Sequence, residues 1–284
     1  MDRAAGVTET AERIRLCAGD TGAPGACATV DRSAGGRIAS LVVHGHELLV
    51  TEGNGPYAWG AFPMVPYAGR IRRGELRFRG RTHRLPITMA PHAIHGTLAE
   101  VAWEVGSRSD DSLELSASLG PPWPFRGRVT QRFRLEPAAL GVELRLDAEE
   151  PMPASMGWHP WFARRVAGAS GELELFVEPG TLLPRDAEGI PTGRRDRPGP
   201  RPWDDTFTDL PAPPRLRWPG LLQLRVESDC RWWVIYDEQP HGLCVEPQTA
   251  PPDAPNWMPD EVAVEPGRPL TATMTLRWGP DSSG

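Results

Sequence analysis

Apolar and polar residues alternate along several short segments of the chain. In 75–79, which reads Glu-Leu-Arg-Phe-Arg, and in 142–146, which reads Val-Glu-Leu-Arg-Leu, the apolar side chains recur at every second position. A period of two places apolar side chains on one face of a β-strand and charged ones on the other. Such alternation between turn signals predicts antiparallel strands at 37–43, 75–78, 113–119, 129–135, 142–146, 172–177, 221–227, 232–236, 242–245 and 270–278.

Helical periodicity is weak throughout, and one short helix is expected at 12–17. The stretch 189–219 is rich in proline and arginine but also contains Trp203 and Phe207 beside carboxylates, which is unusual in a solvated linker. It is therefore expected to be a long loop that packs against the protein. All-β folds often reach this length as one domain. We expect a single domain over residues 1–284, with a core at about 14–278 and short flexible ends.

Composition supports an all-β fold class. The 284 residues include 30 glycines and 32 prolines, about a fifth of the chain against a usual background of about 12%. No segment has the roughly 20 apolar residues of a membrane helix, and the first residues lack the apolar segment of a signal peptide. The sequence therefore predicts a cytoplasmic protein with no membrane partner.

Charge and missing residue types exclude several classes of function. The net charge of -6 gives no support for a nucleic-acid partner, which requires a clustered basic surface. Every basic residue apart from histidine is arginine. Without lysine, the chain cannot use Schiff-base catalysis, a Walker-type phosphate loop or pyridoxal attachment, all of which need an amine.

Cysteine and histidine spacing indicates neither a disulfide framework nor a metal centre. No C-x-x-C or zinc-finger pattern is present, and buried free thiols are expected at the four cysteines, which are Cys17, Cys27, Cys230 and Cys244. The histidine pairs at 44 and 46 and at 92 and 95 lie beside glycine or proline in expected loops, without an H-E-x-x-H pattern. The spacing of these residues therefore predicts no metal site.

Two residues are candidates for acid–base chemistry. His159 lies within Gly-Trp-His-Pro-Trp-Phe, so it is either a core histidine bonded to backbone or a functional group in an apolar site. Glu246 follows an apolar run and precedes Pro247, at an expected strand end. A partly desolvated carboxylate there would have a raised pKa, as suits a general base, whereas a residue on the exposed rim would not. Taken singly, neither position is decided.

Read in chain order, seven segments form a recognisable series. They are Phe-Pro-Met-Val-Pro-Tyr-Ala-Gly-Arg-Ile at 62–71, Gly-Glu-Leu at 74–76, His-Ala-Ile-His-Gly at 92–96, His-Pro-Trp-Phe at 159–162, Trp-Asp-Asp-Thr-Phe at 203–207, Val-Glu-Pro-Gln-Thr at 245–249 and Asp-Ala-Pro-Asn at 253–256. In this order and at these spacings they resemble the motifs of the aldose 1-epimerase (galactose mutarotase) family. The resemblance covers nearly the whole chain, from about residue 14 to residue 278.

The resemblance implies a large antiparallel β-sandwich with a concave sugar-binding cleft, and interconversion of the α and β anomers of a free aldose without metal or cofactor. By position, Glu246 matches the general base and His159 the general acid. The acid would act as an imidazolium, kept charged by the nearby carboxylate. The matched sugar-binding positions are Arg70, His95, Trp161, Asp204 and Gln248. The expected partner is a small sugar, and either a monomer or a homodimer is compatible with the sequence.

Two positions depart from the family pattern. Gly69 stands where asparagine often precedes the arginine, and Trp161 stands where tyrosine is often found. Both changes affect the expected choice of sugar more than the expected reaction.

Other functions compatible with the sequence are a hexose-6-phosphate mutarotase, a non-catalytic carbohydrate-binding protein of the same fold and a glycosidase with two carboxylates. A phosphate site would need an arginine cluster, for which Arg70, Arg72 and Arg73 are candidates. On a strand Arg70 and Arg72 would share a face. We expect Arg72 and Arg73 to lie on an exposed edge, and the cleft to prefer an unphosphorylated aldose.

Overall fold

The computed structural model describes residues 12–19 and 25–281. Its first strands are β1 (Arg13–Ala18), β2 (Ala26–Asp31), β3 (Arg37–Val43), β4 (His46–Glu47), β5 (Ala61–Met64), β6 (Arg70–Ile71), β7 (Glu75–Phe78), β8 (Arg81–Arg84), β9 (Ala93–Ile94), β10 (Glu104–Arg108), β11 (Ser112–Leu119) and β12 (Gly127–Glu136). They are followed by β13 (Ala139–Ala148), β14 (Met152–Pro153), β15 (Gly157–Ala163), β16 (Glu174–Phe176), β17 (Thr181–Leu183), β18 (Asp204–Thr208), β19 (Arg215–Trp218), β20 (Leu222–Ser228), β21 (Trp232–Tyr236), β22 (Gly242–Gln248), β23 (Ala263–Val264) and β24 (Leu270–Pro280). A 3-10 turn covers Arg72–Gly74, and one short helix, α1, covers Ala254–Trp257.

Two large antiparallel sheets form the body of the protein. One contains ten strands in the order β1-β2-β3-β5-β15-β22-β21-β18-β17, with β4 paired to β3, and the other contains eight in the order β10-β11-β12-β13-β24-β20-β19-β16. A continuous core includes buried residues of both sheets, among them Trp158, Phe207, Leu144 and Leu276. The all-β sandwich expected from the sequence is therefore confirmed.

Strict alternation marks the strands that cover the core with one face. In β13, Val142, Leu144 and Leu146 are buried, while Glu143 and Arg145 are partly exposed. This strand pairs with β12 and β24, so its apolar row is continued by the strands on both sides. Burying one such side chain stabilises the fold by about 1.5–3 kcal/mol.

The N-terminal prediction was wrong, because residues 12–17 do not form a helix. Arg13–Ala18 is the edge strand β1, paired with β2. Ile14 and Leu16 are buried, while Arg13 and Arg15 are exposed. That period of two is the pattern of a strand, and it outweighs the mild helical preference of single residues.

The expectation of four free thiols was wrong for one pair. Cys17 and Cys27 are direct partners in the β1–β2 ladder and form a disulfide. The two positions are brought together by strand register, which local spacing does not reveal. Cys230 and Cys244 are buried free thiols, as predicted. Disulfides persist mainly in oxidising compartments, so this bond does not support the expected cytoplasmic location.

The stretch 189–219 packs against the protein as predicted, but it is not one long loop. It contains β18 and β19, and Trp203 and Phe207 are buried in the core. At the C-terminus β24 extends to Pro280, and 282–284 lie outside the described residues. Within the described ranges no helix is long and apolar enough to cross a lipid bilayer.

Candidate active site

Two neighbouring strands of the ten-stranded sheet place His159 opposite Glu246. Strands β15 and β22 are antiparallel, and the pairs Gly157 with Gln248 and Trp161 with Cys244 fix one register on either side of these residues. That register sets His159 and Glu246 directly across from each other. Their side chains meet, with 3.2 Å between His159 Nε2 and Glu246 Oε1.

Each of these strands is buried on both faces, and the two faces have different surroundings. On β22, Leu243 and Val245 belong to the core between the sheets, whereas Cys244 and Glu246 lie on the opposite face. On β15, Trp158 is likewise part of the core, whereas His159 and Trp161 lie on the pocket side. Successive strand residues point to opposite faces, so one face stabilises the fold and the other lines a site.

A pocket of about 410 Å³ opens on this second face. Its walls include all seven residues that the resemblance selects, which are Arg70, His95, His159, Trp161, Asp204, Glu246 and Gln248. Further lining side chains that the sequence analysis did not identify are Tyr57, Met89, Ile94, Arg185, Val234, Tyr236, Gln239 and His241. A concave, largely apolar pocket with a few convergent polar groups is the usual form of a small-molecule site.

Burial determines the protonation of the central pair. Glu246 is 2% and His159 5% exposed. Burial raises the pKa of Glu246 well above its usual range, and the Asp204 charge adds to this. Burial lowers the pKa of His159 to about 3. Both shifts favour the arrangement in which the shared proton lies on Glu246 beside a neutral imidazole, whereas the sequence analysis expected an imidazolium.

Aromatic rings fix the orientation of the His159 imidazole. Phe62 stacks on it at 4.8 Å between ring centroids, and Trp161 stacks at 5.4 Å. His95 stands perpendicular to it at 5.0 Å. The Trp161 indole is held in turn by a hydrogen bond to the Tyr57 carbonyl oxygen. These contacts leave the imidazole little rotational freedom and point Nε2 at Glu246.

Three residues that line the pocket carry buried polar atoms without a protein partner. Among the described residues they include Nδ1 of His95, Nδ1 of His159 and Oε1 of Gln248. The Gln248 amide uses its nitrogen to donate to Glu246 Oε2 at 3.2 Å, which leaves its oxygen free to accept. An unpaired buried polar group costs about 1–3 kcal/mol, so a hydroxyl-rich ligand would bind these atoms favourably.

The backbone at Gly69 explains one departure from the family pattern. Gly69 adopts a φ of +68°, and a Cβ there would lie 2.5 Å from Cγ of Pro252. Pro252 also lines the pocket. An asparagine cannot occupy position 69 unless Pro252 moves, so the two residues form a matched pair.

Arg70 is the arginine of the predicted set that reaches the pocket. Its Nη1 donates weakly to the Gly189 carbonyl oxygen at 3.4 Å. Its charge lowers the pKa of His95, although burial is the larger cause of that decrease. Arg70 also opposes the increase that burial and the Asp204 charge produce in the pKa of Glu246.

Arg72 and Arg73 do not line the pocket. The strand β6 ends at Ile71 and a 3-10 turn follows, so the predicted sharing of one strand face by Arg70 and Arg72 was wrong. Arg72 pairs with Asp186 and Glu188, and Arg73 pairs with Glu188. These bonds attach a segment of the pocket wall, residues 184–193, which we call the covering segment.

Asp204 reaches the pocket from β18, already paired. Nη1 of Arg185, in the covering segment, donates to its carboxylate. Arg185 was missed because no local motif marks it. The covering segment turns back at Asp186–Ile190 and brings Arg185 over a strand 19 positions further along.

One cluster of potential metal ligands lies at the same site. Within the described ranges, His159, Cys244 and Glu246 are the group whose ligand atoms lie within 4.8 Å of one another. A thiol binds metal as thiolate, but burial raises the pKa of Cys244 well above its usual value. The donor set thus fits a metal poorly in its resting protonation state. The predicted absence of a metal stays a prediction.

The sandwich and its pocket define a class of protein, a β-sandwich with a buried carboxylic acid–imidazole pair in a concave polar–aromatic site. A family model, Aldose 1-epimerase, matches residues 27–213. The chain therefore belongs to the aldose 1-epimerase family.

Curated relatives and solved structures are consistent with this membership. The chain is 28% identical to the uncharacterised protein YphB of Escherichia coli (strain K12) over 76% of this chain and 82% of that protein. It is 26% identical to the uncharacterised protein YihR of the same organism, over 72% of this chain and 75% of that protein. A galactose mutarotase-like protein of Clostridium acetobutylicum shares the fold at a TM-score of 0.80 and 18% identity, over 94% and 95% of the two chains. A galactose 1-epimerase of Lactobacillus acidophilus gives a TM-score of 0.74 at 15% identity, over 94% of this chain and 98% of that one.

Proposed function

We propose that the protein is an aldose 1-epimerase, a cofactor-independent isomerase that interconverts the α and β anomers of an unphosphorylated aldose. The observation that carries this proposal is the contact between His159 and Glu246 at 3.2 Å, buried in a sugar-sized pocket. Anomerisation requires one group that removes the O1 proton and another that protonates O5. Both oxygens are bonded to C1, so the two groups must stand side by side.

The pair contains the single proton that the reaction needs. When a sugar binds, the proton moves from Glu246 to His159, which gives a carboxylate facing O1 and an imidazolium facing O5. The carboxylate takes the O1 proton, His159 donates to O5, and the C1–O5 bond breaks as C1 becomes an aldehyde. Rotation about C1–C2 and the reverse transfers close the ring as the other anomer. Each positioned transfer contributes about 10²–10⁴-fold.

The surrounding groups bind and orient the ring in this proposal. Arg70 is close enough to favour the Glu246 carboxylate that the reaction requires. His95 and Gln248 offer unpaired acceptor or donor atoms to hydroxyls. Trp161 presents an aromatic face of the kind that stacks on sugar C–H groups, and Asp204 accepts from hydroxyls farther from C1. Every named group comes from one chain, so the chemistry needs no partner subunit.

Charge pairing outside the pocket favours a free sugar over a sugar phosphate. Of the three arginines that could have met a phosphate dianion as a cluster, Arg72 and Arg73 are neutralised by Asp186 and Glu188, and only Arg70 lines the pocket. A phosphate would have to displace carboxylates that already bind them.

Saturation-transfer NMR on freshly dissolved aldoses tests the proposal, with D-glucose and D-galactose and their 6-phosphates as substrates. We expect faster anomer exchange with protein than without, and kcat/KM larger for the free sugars. A preference of tenfold or more for a phosphate, about 1.4 kcal/mol, would contradict the substrate class. Release of an aglycone from a glycoside would contradict the reaction.

A further inference from the structure

Arg185 is the one arginine besides Arg70 that lines the pocket within the described ranges. It contacts two carboxylates that are adjacent in sequence. Its Nη1 donates to Asp204, and its Nε lies 3.3 Å from Asp205 Oδ1. The side chains of Arg185 and Asp204 are 32% and 23% exposed, so their contact is partly shielded from bulk water.

The covering segment holds Arg185 in place through its backbone. Arg185 bridges to Pro191 across a tight turn, and the next residue, Asp186, donates its N–H to Ile190 and pairs with Arg72. A typical exposed ion pair is free to break and contributes about 0–1 kcal/mol. Arg185 instead emerges from a backbone fixed on both sides, with its side chain directed into a pocket wall.

A nearby ion pair in the same stretch of chain shows the contrast. Arg195 and Asp209 lie 3.2 Å apart, each with half of its side chain exposed, and neither lines the pocket. The two pairs have the same chemistry, but one of them faces the site. Arg195 therefore provides a matched control.

The position of Asp204 shows which part of a sugar it can reach. Asp204 lies on β18, which is separated from β22 by β21 alone. Two strand spacings amount to about 10 Å, while a pyranose ring is only about half as wide. If C1 and O5 lie at Glu246 and His159, the Arg185–Asp204 pair meets hydroxyls on the far side of the ring.

We propose that Arg185 and Asp204 act as one recognition unit for two neighbouring free hydroxyls at C3 and C4 of the aldose. This inference rests on the proposed function. The guanidinium offers N–H donors beside the acceptor oxygens of the carboxylate, and such a pair matches a vicinal diol, in which each hydroxyl both donates and accepts. Arg185 thereby determines specificity without taking part in proton transfer.

The experiment compares Arg185→Met and Arg185→Lys with wild type on D-glucose, D-galactose and their 3-deoxy and 4-deoxy analogues. Arg185→Met keeps an unbranched apolar chain and removes the donors. Saturation transfer gives kcat and KM for each sugar. Arg195→Met is the control, and circular dichroism and thermal unfolding confirm that each variant is folded.

Wild type should lose about 10- to 100-fold in kcat/KM on the deoxy analogues, the usual effect of losing a hydrogen bond to a charged group. Arg185→Met should show a similar loss on the parent sugars, through KM, and should no longer distinguish parent from deoxy sugar. Arg185→Lys should recover part of the loss. Arg195→Met should match wild type within twofold.

Two results would overturn the inference while leaving the proposed function intact. One is wild-type kinetics in Arg185→Met. The other is an equal loss on every sugar with the parent-to-deoxy ratio unchanged, which would mean that Arg185 only supports the wall. Lack of exchange on any parent sugar by the wild-type protein would overturn the proposed function and, with it, this inference.

Discussion

Replacing Glu246 by glutamine separates the chemical role of the carboxylate from its place in the structure. Glu246 accepts from Gln248 at 3.2 Å and lies 3.2 Å from His159 Nε2. A glutamine amide keeps the shape, accepts from Gln248 through its oxygen and donates to His159 through its nitrogen, as the protonated acid does. What it cannot do is take the O1 proton.

The expected loss is therefore in kcat, by about 10²–10⁴-fold for a general base, or about 3–5 kcal/mol at 1.36 kcal/mol per decade. The KM should change little because the sugar contacts remain. Saturation-transfer NMR measures both constants against the spontaneous rate. Glu47→Gln is the matched control, since Glu47 lies in the same sheet and accepts from the backbone of Leu41 and Leu49 without lining the pocket. It should keep the wild-type kcat within about twofold.

Folding stability provides an independent check on the same variant. Burial raises the pKa of Glu246 in the folded protein. A carboxyl of this kind contributes stability at low pH, and that stability is lost as the pH rises above the ordinary pKa of a carboxyl. The Glu246→Gln variant does not lose stability in this way. Between pH 5 and pH 7 its free energy of unfolding should therefore rise relative to that of wild type. A kcat near wild type would remove Glu246 from the mechanism. An unchanged stability difference over that pH range would refute its buried, protonated state.

Three further predictions follow from the site and the fold. Because the pKa of His159 is lowered to about 3, kcat/KM should stay flat from pH 7 to pH 5, and a fall centred near pH 6.5 would show an ordinary histidine. Exhaustive EDTA treatment should leave the exchange rate unchanged, whereas loss of activity restored by a divalent ion would establish a metal at His159, Cys244 and Glu246. Replacing both Cys17 and Cys27 by serine removes a link across a sequence separation of 10, and should lower the free energy of unfolding in urea by about 2–3 kcal/mol. An unchanged urea midpoint would show that the link stabilises nothing.

The sequence predicted several strands of the two large sheets and of the small β7–β8 hairpin. Residues 37–43, 75–78 and 232–236 form strands at the predicted bounds. Their apolar residues either alternate with polar ones, as in a half-buried strand, or form a continuous run, as in a buried strand. These strands depend on neighbours for stability, but their existence could be inferred from local pattern alone.

Three strands that carry site residues were missed or cut short. Strand β15 reads Gly-Trp-His-Pro-Trp-Phe-Ala and is buried on both faces, so no alternation marks it. Strand β18 begins with two aspartates. The segment at 242–245 was ended before Pro247, yet β22 continues through Gln248. Function requires polar residues and prolines where a strand pattern would place apolar ones, and sequence rules fail most often at such positions.

The prolines in β15 and β22 interrupt the hydrogen-bonded ladder at the site. Between the paired ends of β15 and β22, no ladder pair is formed at 158–160. Pro160 and Pro247 lie in this interval, and proline has no N–H to donate to a ladder. The register nevertheless holds on both sides, so the ladder is interrupted only where the two reacting side chains lie.

The same strand register fixes both the core and the chemistry. If β22 shifted by one residue against β15, Glu246 would point into the core and Val245 into the pocket, because side chains alternate between faces. Leu243 would leave the core with it. Exposing these two apolar side chains would cost about 1.5–3 kcal/mol each, and burying a carboxyl among apolar groups would cost more. The apolar residues on the core face of β22 therefore hold Glu246 against His159, although none of them touches the pocket.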